Sequence, residues 1–352
     1  MEISTPGRIC LFGEHQDYLG LPVISMAISL RIKLIGEKAS DRTINIEMPD
    51  IGKHKMFSLD DLSYNHSRDY FKSGIRVCQN EGLIFTKGFT CKVTSEIPIA
   101  AGTSSSSALN VSWIHFLSKM ADEPVDWNQK KIGEIAYKAE VKEFKESGGM
   151  MDQYSTSIGG LIYLGSRPKI NIKNIHSTLG SFVLGDSQKS KDTISVLNRC
   201  KKNQKLVLDK VKYSNSNFSL FKDFQNLNLS KLTSYEKALF EALLKNRDIL
   251  KIAYKELVKN KPDRQMLGKL LLRHHYNLRD VLKISTAKIE LMLDSAIKAG
   301  ALGGKINGSG GGGCMFAYAP DNPTKVARAI EDVGGKAYIV GLDKGTIKTK
   351  EE

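Results

Sequence analysis

The chain has 352 residues, 41% of them hydrophobic, and a formal net charge of +14. This length and composition are sufficient for a full core and predict two packed domains. The apolar stretches are too short to cross a bilayer, no basic-then-apolar leader precedes the first strand-like residues, and the five cysteines have no paired spacing for zinc or redox chemistry. We therefore expect a cytoplasmic protein without a membrane partner. The positive charge could attract nucleic acid, but no zinc finger and no interleaved aromatic and basic residues accompany it, so no nucleic-acid partner is expected.

The first half of the chain mixes strand and helix signals. We expect strands at 8–12, 23–35, 44–48, 88–93, 161–164 and 182–184, and helices at 70–78, 108–120 and 127–145. A polar stretch between the last two of these strands, Pro168 to Ser177, predicts a domain boundary. The expected domains are therefore an N-terminal domain at 1–175 and a C-terminal domain at 176–352.

The second half is strongly helical and then changes pattern. Helices are expected at 193–213, 234–259, 264–280 and 286–299. Two short strands at 305–306 and 314–318 then enclose a glycine loop, followed by a helix at 323–333 and a last strand at 337–342. Together the two halves predict a mixed α/β (α+β) fold.

A glycine and serine cluster, IPIAAGTSSSSAL, runs from Ile97 to Leu109 at a strand-to-helix transition. Gly102 lets the backbone approach a ligand, and the start of a helix presents free amides to an anion. The hydroxyls of Thr103 and of Ser104, Ser105, Ser106 and Ser107 add donors for phosphate oxygens and an oxygen ligand for a hard cation. No Gly-Lys-Ser/Thr follows, so this is not a Walker A loop. A serine-rich helix cap in a flexible linker is the alternative.

A second cluster, PGRICLFGEHQDYLG from Pro6 to Gly20, crowds charged side chains around a turn after a short strand. The carboxylates of Glu14 and Asp17, with His15 between them, are suited to hydrogen bonds with the hydroxyls of a polyol. A metal site or a plain surface turn would be alternatives, although one histidine and two carboxylates at this spacing match no zinc signature.

Two further segments carry weaker signals. The glycine run from Gly303 to Cys314 predicts a close approach to another backbone or to a phosphate, or else a flexible hinge. In the segment from Ser147 to Gln153, Asp152 could orient and deprotonate an attacking hydroxyl, or it could simply cap a helix. Glu140, twelve residues before Asp152 in a helical pattern, would by itself pass as a surface charge.

In this order the clusters resemble the three motifs of the GHMP kinases, which include galactokinase, homoserine kinase, mevalonate kinase and phosphomevalonate kinase. The first motif is matched by Pro6, Gly7, Arg8, Gly13, Glu14 and His15, the second by Pro98, Gly102, Thr103, Ser104, Ser105 and Ser106, and the third by the run from Lys305 to Cys314. The resemblance implies an N-terminal domain like domain 2 of ribosomal protein S5 and a ferredoxin-like C-terminal domain.

The resemblance also implies an ATP- and Mg²⁺-dependent phosphotransferase. The ATP phosphates would lie on the loop from Gly102 to Ser107, with Ser106 and Glu140 as magnesium ligands. Asp152, in a segment similar to the galactokinase GIMDQ, would be the catalytic carboxylate. Arg8 would hold Asp152 ionised and stabilise charge on the transferring phosphoryl group.

The first motif is similar to that of galactokinases, and Asp17 supplies an acidic residue that mevalonate kinases lack. The implied function is phosphorylation of a small sugar at its anomeric hydroxyl, with Glu14, His15, Asp17 and Gly149 binding the substrate. Galactose, an N-acetylated hexosamine, arabinose, a uronic acid and a heptose all stay open. A mevalonate kinase, with Lys189, Lys191 and Arg199 facing a carboxylate, and a non-catalytic sugar sensor are the alternatives. Whether the protein is a monomer or a homodimer is also left open.

Overall fold

The chain folds as a mixed α/β protein, which confirms the expected fold class. The structure, a computed structural model, describes residues 1–99, 101–146, 148–189, 192–224 and 226–349. Within these ranges no helix combines the length and the apolar character that a bilayer crossing requires.

The strands and helices are numbered in chain order. The strands are β1 (Glu2–Phe12), β2 (Val23–Lys38), β3 (Thr43–Met48), β4 (Lys53–Ser58), β5 (Phe89–Ser95), β6 (Leu161–Gly165), β7 (Asn171–Asn174), β8 (Phe182–Asp186), β9 (Gly303–Ile306), β10 (Cys314–Tyr318), β11 (Lys336–Val340) and β12 (Ile347–Thr349). The helices are α1 (Tyr70–Asn80), α2 (Ser105–Met120), α3 (Gln129–Tyr137), α4 (Met151–Ile158), α5 (Thr193–Ser214), α6 (Ser234–Leu257), α7 (Arg264–Asp280), α8 (Ala287–Lys298) and α9 (Pro323–Asp332). Asp17–Leu19 and Pro49–Ile51 form short 3-10 helices, and Lys138–Lys142 is a π-helical turn.

Two compact units make up the chain, and each is assembled from separate segments. The first unit comprises Met1–Arg8, Met26–Gly160 and Leu342–Glu352, and the second comprises Ile9–Ser25 and Leu161–Gly341. The proposed domain boundary at residues 175 and 176 stays a prediction.

The first unit contains a sheet whose strands are ordered β12-β1-β2-β5-β3-β4. Helix α2 is buried along most of its length, because it packs on α1, α3 and α4 as well as on the apolar core. Its Trp113 and Phe116 rings stack 5.6 Å apart, and Phe89 of β5 meets both of them edge to face. Such aromatic contacts add to the burial of apolar area that fixes α2 in place.

The second unit contains an antiparallel sheet ordered β11-β8-β10-β9, against which α7, α8 and α9 pack. Two glycines let α7 lie directly on the start of β9. A Cβ on Gly268 would come within 2.2 Å of the Leu302 carbonyl oxygen, and one on Gly303 within 2.0 Å of the Gly268 carbonyl oxygen. Any side chain at either position would push the helix off the sheet.

A buried polar network in the first unit joins β1 and α2 to the segment before β12. The hydroxyls of Thr5 and Thr346 lie 2.8 Å apart, Ser112 Oγ donates to Thr5 at 2.7 Å, and His115 Nδ1 lies 3.0 Å from Thr346 Oγ1. Burial, and secondarily the charge of Lys119, lowers the pKa of His115 to about 4. His115 is therefore neutral in the folded protein near neutral pH.

This histidine should make stability depend on pH. Because the unfolded chain binds a proton at His115 below about pH 6.5 and the folded chain does so only near pH 4, the contribution is complete above pH 6.5 and is lost as the pH falls to 4. The loss amounts to at most about 3 kcal/mol. Urea unfolding of the parent and of His115→Asn at pH 7 and pH 5 measures it. An equal loss of unfolding free energy in both proteins would contradict the assignment.

Candidate active site

The glycine and serine cluster forms the start of α2 in the first unit. Ser104 is the residue before the helix and adopts a left-handed conformation, with φ of 63° and no cap bond from its side chain. The first intrahelical bond runs from the Ala108 amide to the Ser104 carbonyl at 2.8 Å, so the amides of Ser105, Ser106 and Ser107 precede it. Ser104 Oγ is buried and has no hydrogen-bond partner among the described residues. Free amides and an unsatisfied hydroxyl at one helix start suit an anion.

Glu140 lies beside this helix start and is held on both carboxylate oxygens. Its Oε1 accepts hydrogen bonds from Ser106 Oγ at 3.1 Å and Ser107 Oγ at 3.0 Å, and its Oε2 accepts from Gln153 Nε2 at 2.7 Å. The π-helical turn Lys138–Lys142 carries Glu140, and such turns often occur at functional sites. Burial raises the pKa of Glu140 to about 7 against the opposing effect of its hydrogen bonds.

This arrangement fits a magnesium ion. Glu140 is a buried carboxylate, and no ion pair joins it to a Lys or Arg in the described part of the chain, so a cation would offset its desolvation. Magnesium is commonly held by one or two carboxylates with substrate phosphates and water rather than by a protein cage. Among the described residues, no three or more His, Cys, Asp or Glu side chains form a group able to hold a metal.

Arg8 and Asp152 form an ion pair in the same unit. Arg8 Nε and Nη2 donate to Asp152 Oδ1 at 2.9 and 2.7 Å. The Arg8 side chain is 3% exposed and that of Asp152 is 33% exposed. Arg8 also reaches the phosphate-loop candidate, because its amide donates to the Thr103 carbonyl at 3.1 Å and its Nη1 donates to the Gly102 carbonyl. The first unit thus brings together Arg8, the start of α2 and Asp152, which lie far apart in the sequence.

Gly149 also belongs to the first unit, where it lies partly exposed in the segment before α4. Ser147 of that segment is outside the described residues.

The second unit contains the other substrate candidates, and Glu14 is almost completely buried there. Its Oε2 accepts a hydrogen bond at 2.7 Å from Lys305 Nζ, and the two side chains are 3% and 0% exposed. Lys305 Nζ also donates to the carbonyls of Cys10 at 2.9 Å and Ile306 at 2.8 Å. All three ammonium protons are therefore bound, and Glu14 lies in a buried ion pair.

His15 is buried as well, in a left-handed conformation with φ of 59°. Its Nε2 lies 3.0 Å from the Ser309 carbonyl oxygen and its Nδ1 lies 3.1 Å from the Tyr18 hydroxyl, which in turn donates to Gln204 Oε1 at 2.8 Å. Burial is the largest cause that lowers the pKa of His15. Asp17 opens the 3-10 helix, is partly exposed, and accepts the Tyr18 amide on Oδ1 at 2.9 Å.

Of the basic residues named for the mevalonate alternative, Arg199 and Lys189 bond to the backbone of other segments. The Arg199 guanidinium donates to the carbonyls of Leu282 and Lys283, each at 3.1 Å. The Lys189 carbonyl accepts from the Gly313 amide at 3.2 Å. Lys191 lies outside the described residues.

The glycine run before β10 approaches another segment of backbone. Gly310 has φ of 79°, and a Cβ there would lie 2.6 Å from the Ile284 carbonyl oxygen. The Gly311 amide donates to the same oxygen at 2.7 Å. This contact favours the close-approach interpretation of the sequence over a flexible hinge.

The sequence alone did not indicate two polar residues that bond the candidate carboxylates Glu14 and Glu140. Lys305 begins the third motif, but its pairing with Glu14 spans 291 positions along the chain and leaves no local signal. Gln153 directly follows Asp152, and that adjacency was the only available sign of its contact with Glu140.

Comparisons with known proteins agree with the motifs. Residues 69–160 match the GHMP kinases N terminal domain, residues 253–337 match the GHMP kinases C terminal domain, and residues 2–38 match the galactokinase galactose-binding signature. A mevalonate kinase from Thermococcus gammatolerans is 29% identical over 99% of this chain and 98% of its own length. A galactokinase from Clostridium perfringens is 27% identical over 95% of this chain and 88% of its own length.

Among solved structures, galactokinase from Lactococcus lactis in complex with galactose has a similar fold. The TM-score is 0.80 at 24% identity, covering 99% of this chain and 95% of that one. With both GHMP kinase domains and the signature matched, the chain belongs to the GHMP kinase family, whose members are ATP-dependent phosphotransferases.

Proposed function

We propose that the protein transfers the γ-phosphoryl group of ATP to the anomeric hydroxyl of a sugar. The observation that carries the transfer chemistry is the Arg8–Asp152 pair, in which Arg8 also bonds the Gly102 and Thr103 carbonyls of the loop before α2. The Asp152 carboxylate would orient the attacking hydroxyl and accept its proton. Arg8 would stabilise negative charge that develops on the transferring group, and positioning would supply much of the remaining rate enhancement.

The nucleotide phosphates would lie against the amides and hydroxyls from Gly102 to Ser107. Ser106 and Glu140 would hold Mg²⁺, which supplies charge neutralisation of the phosphates when it is bound. The partial exposure of Asp152 leaves its carboxylate open to a substrate hydroxyl, whereas Arg8 is buried behind it. This difference in exposure supports a substrate-facing role for Asp152 and a charge-stabilising role for Arg8.

Support for a sugar comes from the first motif. The galactokinase galactose-binding signature covers 2–38, and within it Asp17 is partly exposed while Glu14 is bound to Lys305. Of these two carboxylates Asp17 is therefore the better placed to accept hydrogen bonds from sugar hydroxyls. Mevalonate is the second candidate substrate, because a mevalonate kinase is 29% identical over nearly the whole chain.

The two candidates differ in a direct assay. We expect ADP release with ATP and Mg²⁺ in the presence of one free sugar from a panel of galactose, N-acetylated hexosamines, arabinose, uronic acids and heptoses. The product should carry phosphate at its anomeric carbon, which phosphorus NMR locates. Turnover of mevalonate alone would replace the sugar proposal with the second candidate. Binding of sugar and ATP without any ADP release would instead indicate a sensor.

A further inference from the structure

Gln153 contacts the candidate magnesium ligand from the neighbouring helix. It lies in α4 immediately after Asp152 and is 2% exposed. Its Nε2 donates to Glu140 Oε2 at 2.7 Å and lies 3.3 Å from Ser107 Oγ. A single buried amide thus reaches both the carboxylate and the serine that bonds the other carboxylate oxygen.

The two sides of Glu140 are held by different elements. Ser106 and Ser107 of α2 bond Oε1, and Gln153 of α4 bonds Oε2. The plane of the carboxylate is fixed only when both oxygens are held, because a carboxylate bonded on one oxygen can still rotate about its last side-chain bond. Gln153 therefore removes the rotation that the serines alone would leave.

The other end of the Gln153 amide is not satisfied by the protein. Its Oε1 is buried and has no hydrogen-bond partner among the described residues. The amide nitrogen faces Glu140 Oε2. An ionised carboxylate, the form that binds a cation, only accepts hydrogen bonds, so in that form the Gln153 oxygen has no donor in Glu140. A buried acceptor without a donor lowers the stability of the folded protein, because it gives up its hydrogen bonds to water and gains none. Such a group therefore calls for a functional explanation.

We propose that Gln153 is a positioning residue for the metal site: it orients the Glu140 carboxylate for a divalent cation. Its unpaired oxygen would accept a hydrogen bond from a water molecule bound to the cation. The inference rests on the proposed function, since it requires Glu140 to be a metal ligand. Partners of metal ligands commonly change metal affinity by about 10- to 100-fold when they are removed.

The test measures Mn²⁺ affinity directly, in the presence of a non-hydrolysable ATP analogue, by electron paramagnetic resonance. Gln153→Met keeps the length of the side chain and removes the donor, and we expect it to weaken Mn²⁺ binding by about 10-fold. In the kinase assay the same variant should need more Mg²⁺ for half-maximal turnover and should recover most of its rate at saturating Mg²⁺.

Ser157→Ala provides the matched control. Ser157 is a buried polar residue of the same helix whose Oγ donates to the Tyr154 carbonyl at 3.2 Å. It should lose comparable polar packing and leave Mn²⁺ affinity unchanged. Gln153→Asn is the second variant if the methionine does not fold, because its shorter amide cannot span the contact with Glu140 and should weaken Mn²⁺ binding similarly.

Glu140→Gln separates the inference from the proposed function. If Glu140→Gln weakens Mn²⁺ binding and folded Gln153 variants bind it like the parent, the positioning role is wrong and the metal assignment stands. If Glu140→Gln also binds Mn²⁺ like the parent, Glu140 is not a ligand and both ideas are overturned.

Discussion

Replacing Asp152 by asparagine should lower turnover by about 10²- to 10⁴-fold and leave the affinity for ATP nearly unchanged. The amide oxygen of an asparagine can still accept from Arg8, so the pair retains most of its geometry. What the variant loses is the charge that would accept the proton of the attacking hydroxyl. The rate should therefore fall through kcat, with little change in nucleotide binding.

Calorimetric titration with a non-hydrolysable ATP analogue, beside a steady-state assay, measures the two quantities separately. Asp126→Asn is the matched control, since that side chain is 99% exposed and pairs with Lys119 on the surface. It should retain full turnover. Full activity of Asp152→Asn would show that Asp152 is not the catalytic carboxylate. A loss of ATP affinity as large as the loss of turnover would indicate that the substitution disturbs the start of α2 instead.

The sequence predicts a helix at 108–120, directly after the glycine and serine cluster. The helix α2 begins three residues earlier, at Ser105, so the last three serines of the cluster form its first turn. Glu140 was not predictable from its own surroundings. The helical pattern over 127–145 gave no sign that α3 ends at Tyr137 and continues into a π-helical turn. That turn helps to aim Glu140 inward, where burial and contacts from α2 and α4 define its environment.

Two strands of the first unit also differ from the strands predicted from the sequence. β1 is longer than the predicted strand at 8–12 and begins at Glu2, and β4 was not predicted. β4 has the sequence KHKMFS, whose lysines and histidine obscure the alternation that marks a half-buried strand. Its pairing with β3 supplies the stabilisation that local propensity does not.

Glu14 shows the limit of motif reasoning most clearly. The sequence predicts a carboxylate for substrate hydroxyls, and nothing near it in the chain reveals the buried ammonium of Lys305. A carboxylate already bonded to an ammonium can still contact a ligand through its other oxygen. The substrate role of Glu14 therefore stays a prediction, and the energetics of the pair can test it.

Replacing Lys305 by methionine should lower the free energy of unfolding by about 3–5 kcal/mol, since it leaves Glu14 charged and buried without a partner. The carbonyls of Cys10 and Ile306 would also lose a donor. Urea unfolding monitored by circular dichroism measures the change. Lys251→Met is the control, because that lysine is 45% exposed and pairs with surface aspartates, where an ion pair contributes about 1 kcal/mol or less.

The double variant Glu14→Gln with Lys305→Met should recover part of this loss, because it removes the unpaired buried charge while the two carbonyls stay without their donor. A double variant no more stable than Lys305→Met would contradict the unpaired charge as the main cause of the lost stability.

The double variant also tests the substrate role of Glu14, because it separates an effect on substrate binding from an effect of partial unfolding. If the double variant is as stable as the parent and its KM for the sugar is higher than that of the parent, Glu14 contacts the substrate as well as its ion-pair partner. If the KM returns with stability, Glu14 acts by holding the fold around His15 and Asp17, and the recognition of sugar hydroxyls falls to Asp17.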